Sequence, residues 1–107
     1  MLEYELRRQT LVVKLQSELD HCAAAELRVQ LDELLKDRRI QRLVLDLEKL
    51  RFMDSSGIGL IIGRYKLMAR RGGSVAVIHA DRRMDKIFEM AGLYQLVDRE
   101  GGNAYAK

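Results

Sequence analysis

Short apolar runs along the chain indicate strands that are covered on both faces. They lie at residues 11–15, 43–47 and 75–78, with a weaker run at 93–97. Residues 2–6 instead alternate apolar and polar side chains, which is typical of an edge strand with one face in water. A polar turn at residues 7–10 separates this segment from the first apolar run. We therefore expect five strands, the first of which pairs antiparallel with the second.

Between the strands, apolar residues recur every three or four positions, as they do on the buried face of a helix. The first such stretch follows a loop at residues 17–21, where Asp20 is a good N-cap, and should end near residues 36–39. The second follows a loop at residues 51–56 and should end at the glycine pair 72–73, since glycine accepts the left-handed conformation common after helices. The sequence thus predicts two helices, each entered from the end of a strand.

A third predicted helix begins after Asp81 and closes at Gly92. Its expected inner face comprises Met84, Ile87, Phe88 and Ala91. The complete order is β-β-α-β-α-β-α-β, and strands that alternate with helices form a mostly parallel sheet with right-handed crossovers. We therefore predict a single α/β domain over residues 1–107, with packed helices and an antiparallel strand at its N-terminal edge.

Composition agrees with one domain that folds without cross-links. Of the 107 residues, 48% are hydrophobic, and the single cysteine allows no internal disulfide. No apolar run is typical of a signal peptide or a membrane span, so we expect a soluble, cytoplasmic protein with no membrane partner. The net charge of +3 is small and the chain has no Trp, so we predict no direct nucleic-acid partner.

The run from Phe52 to Gly59 joins a predicted strand to a predicted helix, where function tends to lie in parallel sheets. It places Ser55 at or just before the helix start, where free backbone N–H groups and the helix dipole favour an anion such as a phosphoserine. Gly57 and Gly59 would let the helix pack closely on the sheet. The same Asp-Ser-Ser sequence is also an ordinary helix cap, and a capping serine can accept a phosphate, so both interpretations stay open.

Three segments resemble the anti-sigma factor antagonists of the STAS domain family, most of all its sporulation members. They are Glu18-Leu19-Asp20-His21, Phe52-Met53-Asp54-Ser55-Ser56-Gly57-Ile58-Gly59-Leu60 and Gly63-Arg64-Tyr65-Lys66. The resemblance covers nearly the whole chain, in the same order of elements. It implies a STAS fold and a regulatory protein rather than an enzyme, in which Ser55, the first serine of the pair, is phosphorylated.

The resemblance also implies that the protein acts through partner proteins and needs no cofactor. An ATP-using serine kinase, which is itself the anti-sigma factor, binds the unphosphorylated antagonist and thereby frees the sigma factor. Phosphorylation of Ser55 by that kinase ends the contact, and a separate serine phosphatase restores it. The expected partner-binding residues are Asp20, His21, Asp54, Ser55, Ser56, Gly57 and Leu60. A phosphate would add about −1.5 to −2 charge beside these aspartates, so we expect local repulsion rather than a change of fold.

Two features depart from the family pattern. Members often carry glycine before the Glu-Leu-Asp run, where this chain has Ser17, so a less tight loop is expected there. Members usually end in a further amphipathic helix, whereas residues 100–107 have little apolar content and are expected to fray. Neither departure touches the segment that carries Ser55.

Other functions have weaker support in the residues. His21 and Cys22 are adjacent, but a metal site needs more ligands and His79 ends a different strand, so no metal is expected. A serine hydrolase of the elbow type would need glycine where Met53 and Asp54 stand. A small serine-dependent hydrolase and a STAS scaffold subunit of a stress-signalling or transport assembly are the alternatives to the antagonist.

Some apolar positions allow two interpretations. Met53, Leu60 and Leu67 lie off the buried stripe of their helix or in its entry loop. They belong either to the edge of the core or to the apolar centre of a docking surface. Cys22 is expected to be a small, half-buried helix residue.

Overall fold

The computed structural model describes residues 2–100, in which strands and helices alternate along the chain. In chain order they are β1 (Glu3–Arg7), β2 (Thr10–Leu19), α1 (His21–Leu34), β3 (Arg42–Met53), α2 (Ser55–Ala69), β4 (Ser74–Ile78), α3 (Arg82–Met90) and β5 (Asp98–Glu100). The strands form one sheet in the order β1-β2-β3-β4-β5. β1 is antiparallel to β2, and every other neighbouring pair is parallel. The predicted α/β fold with an antiparallel N-terminal edge strand is confirmed.

The two faces of the sheet differ because side chains alternate along each strand. Leu43 and Leu45 of β3 lie beside Leu11 and Val13 of β2, and all four belong to the main core. The residues between them contribute to a second, small apolar cluster of Val12, Val44, Ala76 and Ile78. All three helices place buried residues in the main core and none in the second cluster, so they pack on one face of the sheet.

β2 and β3 are longer than the apolar runs that predicted them. β2 continues to Leu19 and β3 to Met53, so the first half or more of each loop predicted at residues 17–21 and 51–56 is strand, and that prediction is wrong. The pairing of the two strands shifts register twice, the second time after Ser17, whose φ is +64°. Such irregularities break the alternation of apolar and polar side chains, and the strand signal in the sequence fades there for that reason.

The prediction of a strand at residues 93–97 is also wrong. Leu93–Gln95 form a 3-10 turn, and the last strand, β5, begins after Val97. Leu93 and Val97 are buried in the main core, so this segment is apolar in sequence although it does not form a strand. The expected fraying after Glu100, and the question of a further helix there, lie outside the described residues.

Each helix begins at its predicted cap, and the other ends differ in detail. Asp20, Asp54 and Asp81 all accept a backbone hydrogen bond as N-caps. α2 begins at Ser55, within the segment 51–56 that was predicted to be a loop, and α1 ends at Leu34, before the predicted end at 36–39. Just beyond α1, the Leu35 carbonyl accepts a hydrogen bond of 2.7 Å from the Arg71 guanidinium, which follows α2. A cation at this helix end therefore comes from a distant part of the chain.

The exposed face of α3 is wider than predicted. Met84 and Phe88 are buried, but Ile87 is 38% exposed and Ala91 is exposed, so half of the predicted inner face is wrong. A nine-residue helix beside a 3-10 turn buries only a narrow stripe. Cys22 is exposed rather than half-buried. None of the helices within residues 2–100 is long and apolar enough to cross a membrane.

Candidate functional site

The carboxyl ends of β2 and β3 lie side by side and bring the two predicted functional segments together. Leu19 and Met53, the last residues of the two strands, are paired, and the Asp54 N–H donates to the Leu19 carbonyl at 3.4 Å. Asp20 and Asp54 are the next residues along the two strands. The structure therefore places both aspartates at the same edge of the sheet, as the topology predicted.

Both aspartates cap a helix with a side-chain oxygen. The Ala23 N–H donates to Asp20 Oδ1 at 2.9 Å, and the Ser56 N–H donates to Asp54 Oδ1 at 2.8 Å. Each carboxylate therefore lies at the positive end of a helix dipole, where negative charge is stabilised. Two fixed acidic groups result, one at each helix entry.

Ser55 is the first residue of α2 and is exposed. It begins a helix of 15 residues, whose dipole favours negative charge at this end. Ser56 is less exposed, and its N–H already donates to the Asp54 cap. Of the two serines, Ser55 is therefore the more exposed.

Gly57 lets the start of α2 approach the ends of the strands. It is buried, and a Cβ added there would lie 2.3 Å from Met53 Cγ and 3.1 Å from Leu19 Cδ2. The absence of a side chain thus sets how closely the helix start packs, and with it where Ser55 emerges. Gly59 has no such role, because a Cβ there would meet nothing within 4 Å, so the packing role predicted for Gly59 is wrong.

The apolar residues of uncertain role belong to the core. Leu60 is 5% exposed and lies in the main core, while Met53 and Leu67 pack against it. The predicted contact between Leu60 and a partner is therefore not available at the surface of this structure. Gly57 is likewise buried, so both residues support the surface from beneath rather than form it.

Phe52 is an exposed apolar residue whose role the sequence analysis missed. It lies in β3 opposite Glu18 and is 41% exposed. Its neighbour Met53 packs on the core, so the alternation of side chains along a strand directs Phe52 to the other face of the sheet. The sequence analysis interpreted this segment as a loop and therefore did not apply that alternation. We use the name Ser55 surface for Asp20, His21, Asp54, Ser55 and Ser56.

The Ser55 surface carries two carboxylates, and the chain segments that form it contain no lysine or arginine. Asp20 and Asp54 contribute carboxylates, and His21 beside them is exposed. Residues 15–27 and 52–63 contain neither lysine nor arginine. A phosphate on this surface would therefore meet two carboxylates without a salt-bridge partner from the same segments.

Arg64, from the third segment that carries the family resemblance, is placed within the fold rather than at the Ser55 surface. It is 8% exposed, and its Nη1 lies 3.2 Å from Asp32 Oδ1 on α1. Burial lowers the pKa of the Arg64 guanidinium, and the Asp32 charge opposes that shift. The pair joins α1 to α2, the two helices that begin at the site.

Comparison with known proteins decides the family. A profile of the STAS domain matches residues 1–105. The chain belongs to the STAS domain family. It is 41% identical over 96 residues to an anti-sigma F factor antagonist of Paenibacillus polymyxa, which covers 90% of this chain and 82% of the relative.

Solved STAS structures agree with this assignment. The anti-sigma factor antagonist SpoIIAA in its unphosphorylated form matches with a TM-score of 0.72 and 30% identity over 84% of this chain and 83% of that one. The Bacillus cell fate determinant SpoIIAA in its phosphorylated form matches with a TM-score of 0.77 and 27% identity over 99% and 96%. The predicted resemblance to STAS anti-sigma factor antagonists is confirmed.

Proposed function

We propose that this STAS protein is an anti-sigma factor antagonist whose docking to an anti-sigma kinase ends when Ser55 is phosphorylated. The observation that carries the proposal is the exposed Ser55 at the start of α2, directly after the capping carboxylate of Asp54. Similarity to named antagonists supports it, and so does similarity to SpoIIAA, which is known in phosphorylated and unphosphorylated forms.

In the unphosphorylated protein, the Ser55 surface offers the mixture of groups that protein interfaces use. Asp20 and Asp54 supply charges that are held in place by their hydrogen bonds to the helix starts, and Phe52, two residues before Asp54 in sequence, adds an exposed aromatic side chain nearby along the chain. The matching surface on the kinase would combine an apolar recess with hydrogen-bond donors that fit the two carboxylates closely and leave neither room nor counter-charge for a dianion at Ser55. Binding there would free the sigma factor from the kinase.

A phosphate on Ser55 would act on this contact through charge and volume. It adds about −1.5 to −2 charge beside the carboxylates of Asp20 and Asp54. Like charges forced together in a close interface cost several kcal/mol, and each ~1.4 kcal/mol lowers affinity about tenfold. The partner is therefore lost even though the antagonist stays folded.

The switch requires no rearrangement of the sheet. Ser55 is exposed, whereas the features that hold the helix start, the Asp54 cap and the packing of Gly57 on Met53, lie beneath or beside it. Modification of Ser55 leaves both in place. We place the cycle in the cytoplasm, with a kinase that uses ATP and a separate serine phosphatase that restores the unphosphorylated form.

The test is mass spectrometry after incubation with a purified anti-sigma kinase and ATP. We expect one phosphate, on Ser55, and its loss in Ser55→Ala. Ser56→Ala is the matched control, because its backbone N–H still donates to Asp54, and it should be modified as the wild type is. Phosphate on Ser56, or unchanged modification of Ser55→Ala by an active kinase, would overturn the proposal.

A further inference from the structure

Three side chains with metal-ligand chemistry meet at a place unrelated to the Ser55 surface. Asp46 lies in β3, Glu48 follows two residues later, and His79 comes directly after β4. One donor atom from each of the three lies within 4.8 Å of the others. The sequence analysis considered only His21 and Cys22 together, because pairing Asp46 with His79 requires the register of β3 and β4.

Burial and hydrogen bonds hold the Asp46 carboxylate of this cluster in position without an ion. Asp46 is 3% exposed, its Oδ1 accepts from the Glu48 N–H at 3.0 Å, and the same oxygen lies 2.8 Å from His79 Nδ1. The His79 side chain is 32% exposed, and Glu48 is exposed. A buried, fixed carboxylate is thus accompanied by an imidazole and a second carboxylate that solvent can reach.

We propose that Asp46, Glu48 and His79 bind a divalent transition-metal ion of the Zn²⁺ class. One imidazole nitrogen and two carboxylate oxygens suit such an ion, whereas Mg²⁺ and Ca²⁺ prefer oxygen ligands alone. Three protein ligands leave the fourth position of a tetrahedral ion to water.

The distances are close to what such an ion requires. Ligand atoms about 2.0–2.2 Å from a tetrahedral ion lie roughly 3.4 Å apart. Asp46 Oδ1 and His79 Nδ1, at 2.8 Å, need to separate slightly, and the ion would replace their hydrogen bond. Glu48, being exposed, can complete the set by rotation of its side chain.

A bound ion would join two neighbouring strands where their pairing ends. Asp46 pairs with Ile78 in the last step of the β3–β4 ladder, and His79 is the next residue. Beyond this point β3 continues alone beside β2 toward Met53. The ion would therefore brace the junction between β3 and the loop that leads to α3.

The test uses the untagged full chain, with zinc chloride as the probe, titration calorimetry for affinity and NMR of the histidine rings for location. We expect zinc to shift the ring signals of His79 and to leave those of His21 unchanged. His79→Ala and Glu48→Gln should each weaken zinc binding at least about tenfold. The matched control is the double variant His21→Ala/Cys22→Ser, which removes the other adjacent pair of ligand types and should bind zinc as the wild type does.

Several results would overturn this site. They are no binding up to about 1 mM zinc, shifts confined to His21, or unchanged affinity in a folded His79→Ala protein. Glu48→Gln alters an exposed side chain of the same size, so it tests the ligand set even if the histidine variant does not fold. An equal response to magnesium chloride would contradict the proposed class of ion.

Discussion

The Ser56 N–H and Asp54 Oδ1, 2.8 Å apart, form the hydrogen bond that begins α2 where Ser55 is presented. One carboxylate therefore both caps the helix and places negative charge beside the proposed phosphoacceptor. The two roles can be separated, because asparagine caps a helix about as well as aspartate but carries no charge.

Substitution of Asp54 should distinguish the cap from the charge. We expect Asp54→Ala to lower the free energy of unfolding by about 1 kcal/mol through loss of the cap, and Asp54→Asn to lower it by clearly less. In Asp54→Asn, the loss of kinase affinity on phosphorylation should be smaller than in the wild type. Urea denaturation and binding titrations provide the measurements. Equal destabilisation by Asn and Ala would show that the charge, not the hydrogen bond, stabilises this helix start.

Substitution of Ser55 should show whether charge or volume ends the contact with the kinase. Ser55→Ala should bind the kinase persistently, and Ser55→Asp should bind at least about tenfold more weakly, a difference of ~1.4 kcal/mol. Ser55→Asn has nearly the volume of aspartate without its charge and should bind more tightly than Ser55→Asp. The difference between Asp and Asn should shrink at high salt, since exposed charges are screened. Tight binding by Ser55→Asp would rule out charge as the gate.

The features that could be predicted are those that depend on residues close together in the sequence. Apolar periodicity located the three helices, and the aspartates before them predicted the caps. The position of Ser55 near a helix start followed from the same reasoning, because a helix reached from a strand is recognisable in sequence, whereas its phosphorylation was implied only by the resemblance to the family. Residues 93–97 show the limit of periodicity, since apolar residues there report burial in the core rather than a strand.

What could not be predicted depends on how strands pair. The register shift after Ser17 interrupts the alternation of apolar and polar residues, so the second half of β2 cannot be recognised from the sequence. The same is true of the extension of β3 that exposes Phe52. The contact between Asp46 and His79 joins residues 33 positions apart, and no local pattern specifies it. Gly57 and Gly59 look equivalent in sequence, yet only Gly57 lies against other side chains.

The two glycines allow a matched test of packing at the start of α2. Gly57→Ala should destabilise the protein by about 1–3 kcal/mol, because its Cβ would lie 2.3 Å from Met53 Cγ. Gly59→Ala has open space and should stabilise it by about 0.5–1 kcal/mol, since alanine favours a helix. Thermal or chemical denaturation measures both. Met53→Ala in the Gly57→Ala background should recover part of the loss; if the two variants are simply additive, Met53 is not the obstacle.

Ser17 offers a stabilising substitution at a residue that is not part of the Ser55 surface. Its φ of +64° lies in the left-handed region, which costs an L-residue about 1–2 kcal/mol and glycine almost nothing. Glycine also loses more entropy on folding, by roughly 0.5–1 kcal/mol. We therefore expect Ser17→Gly to raise the free energy of unfolding by up to ~1 kcal/mol, and Ser17→Val, with a branched side chain, to lower it. A loss of stability in Ser17→Gly would show that the serine side chain holds the bulge.

The pair Arg64 and Asp32 predicts opposite effects for its two members. Within residues 2–100, Arg64 Nη1 lies 3.2 Å from Asp32 Oδ1, but neither these atoms nor Arg64 Nε have a well-formed hydrogen bond. Asp32→Ala leaves a buried guanidinium without its counter-charge and should destabilise the fold by about 1–3 kcal/mol. Arg64→Met replaces that charge by an apolar chain and should be neutral or stabilising. The double variant should therefore unfold at a higher urea concentration than Asp32→Ala alone. If Arg64→Met is instead the more damaging single change, the guanidinium stabilises the contact between α1 and α2 through its packing and its charge together.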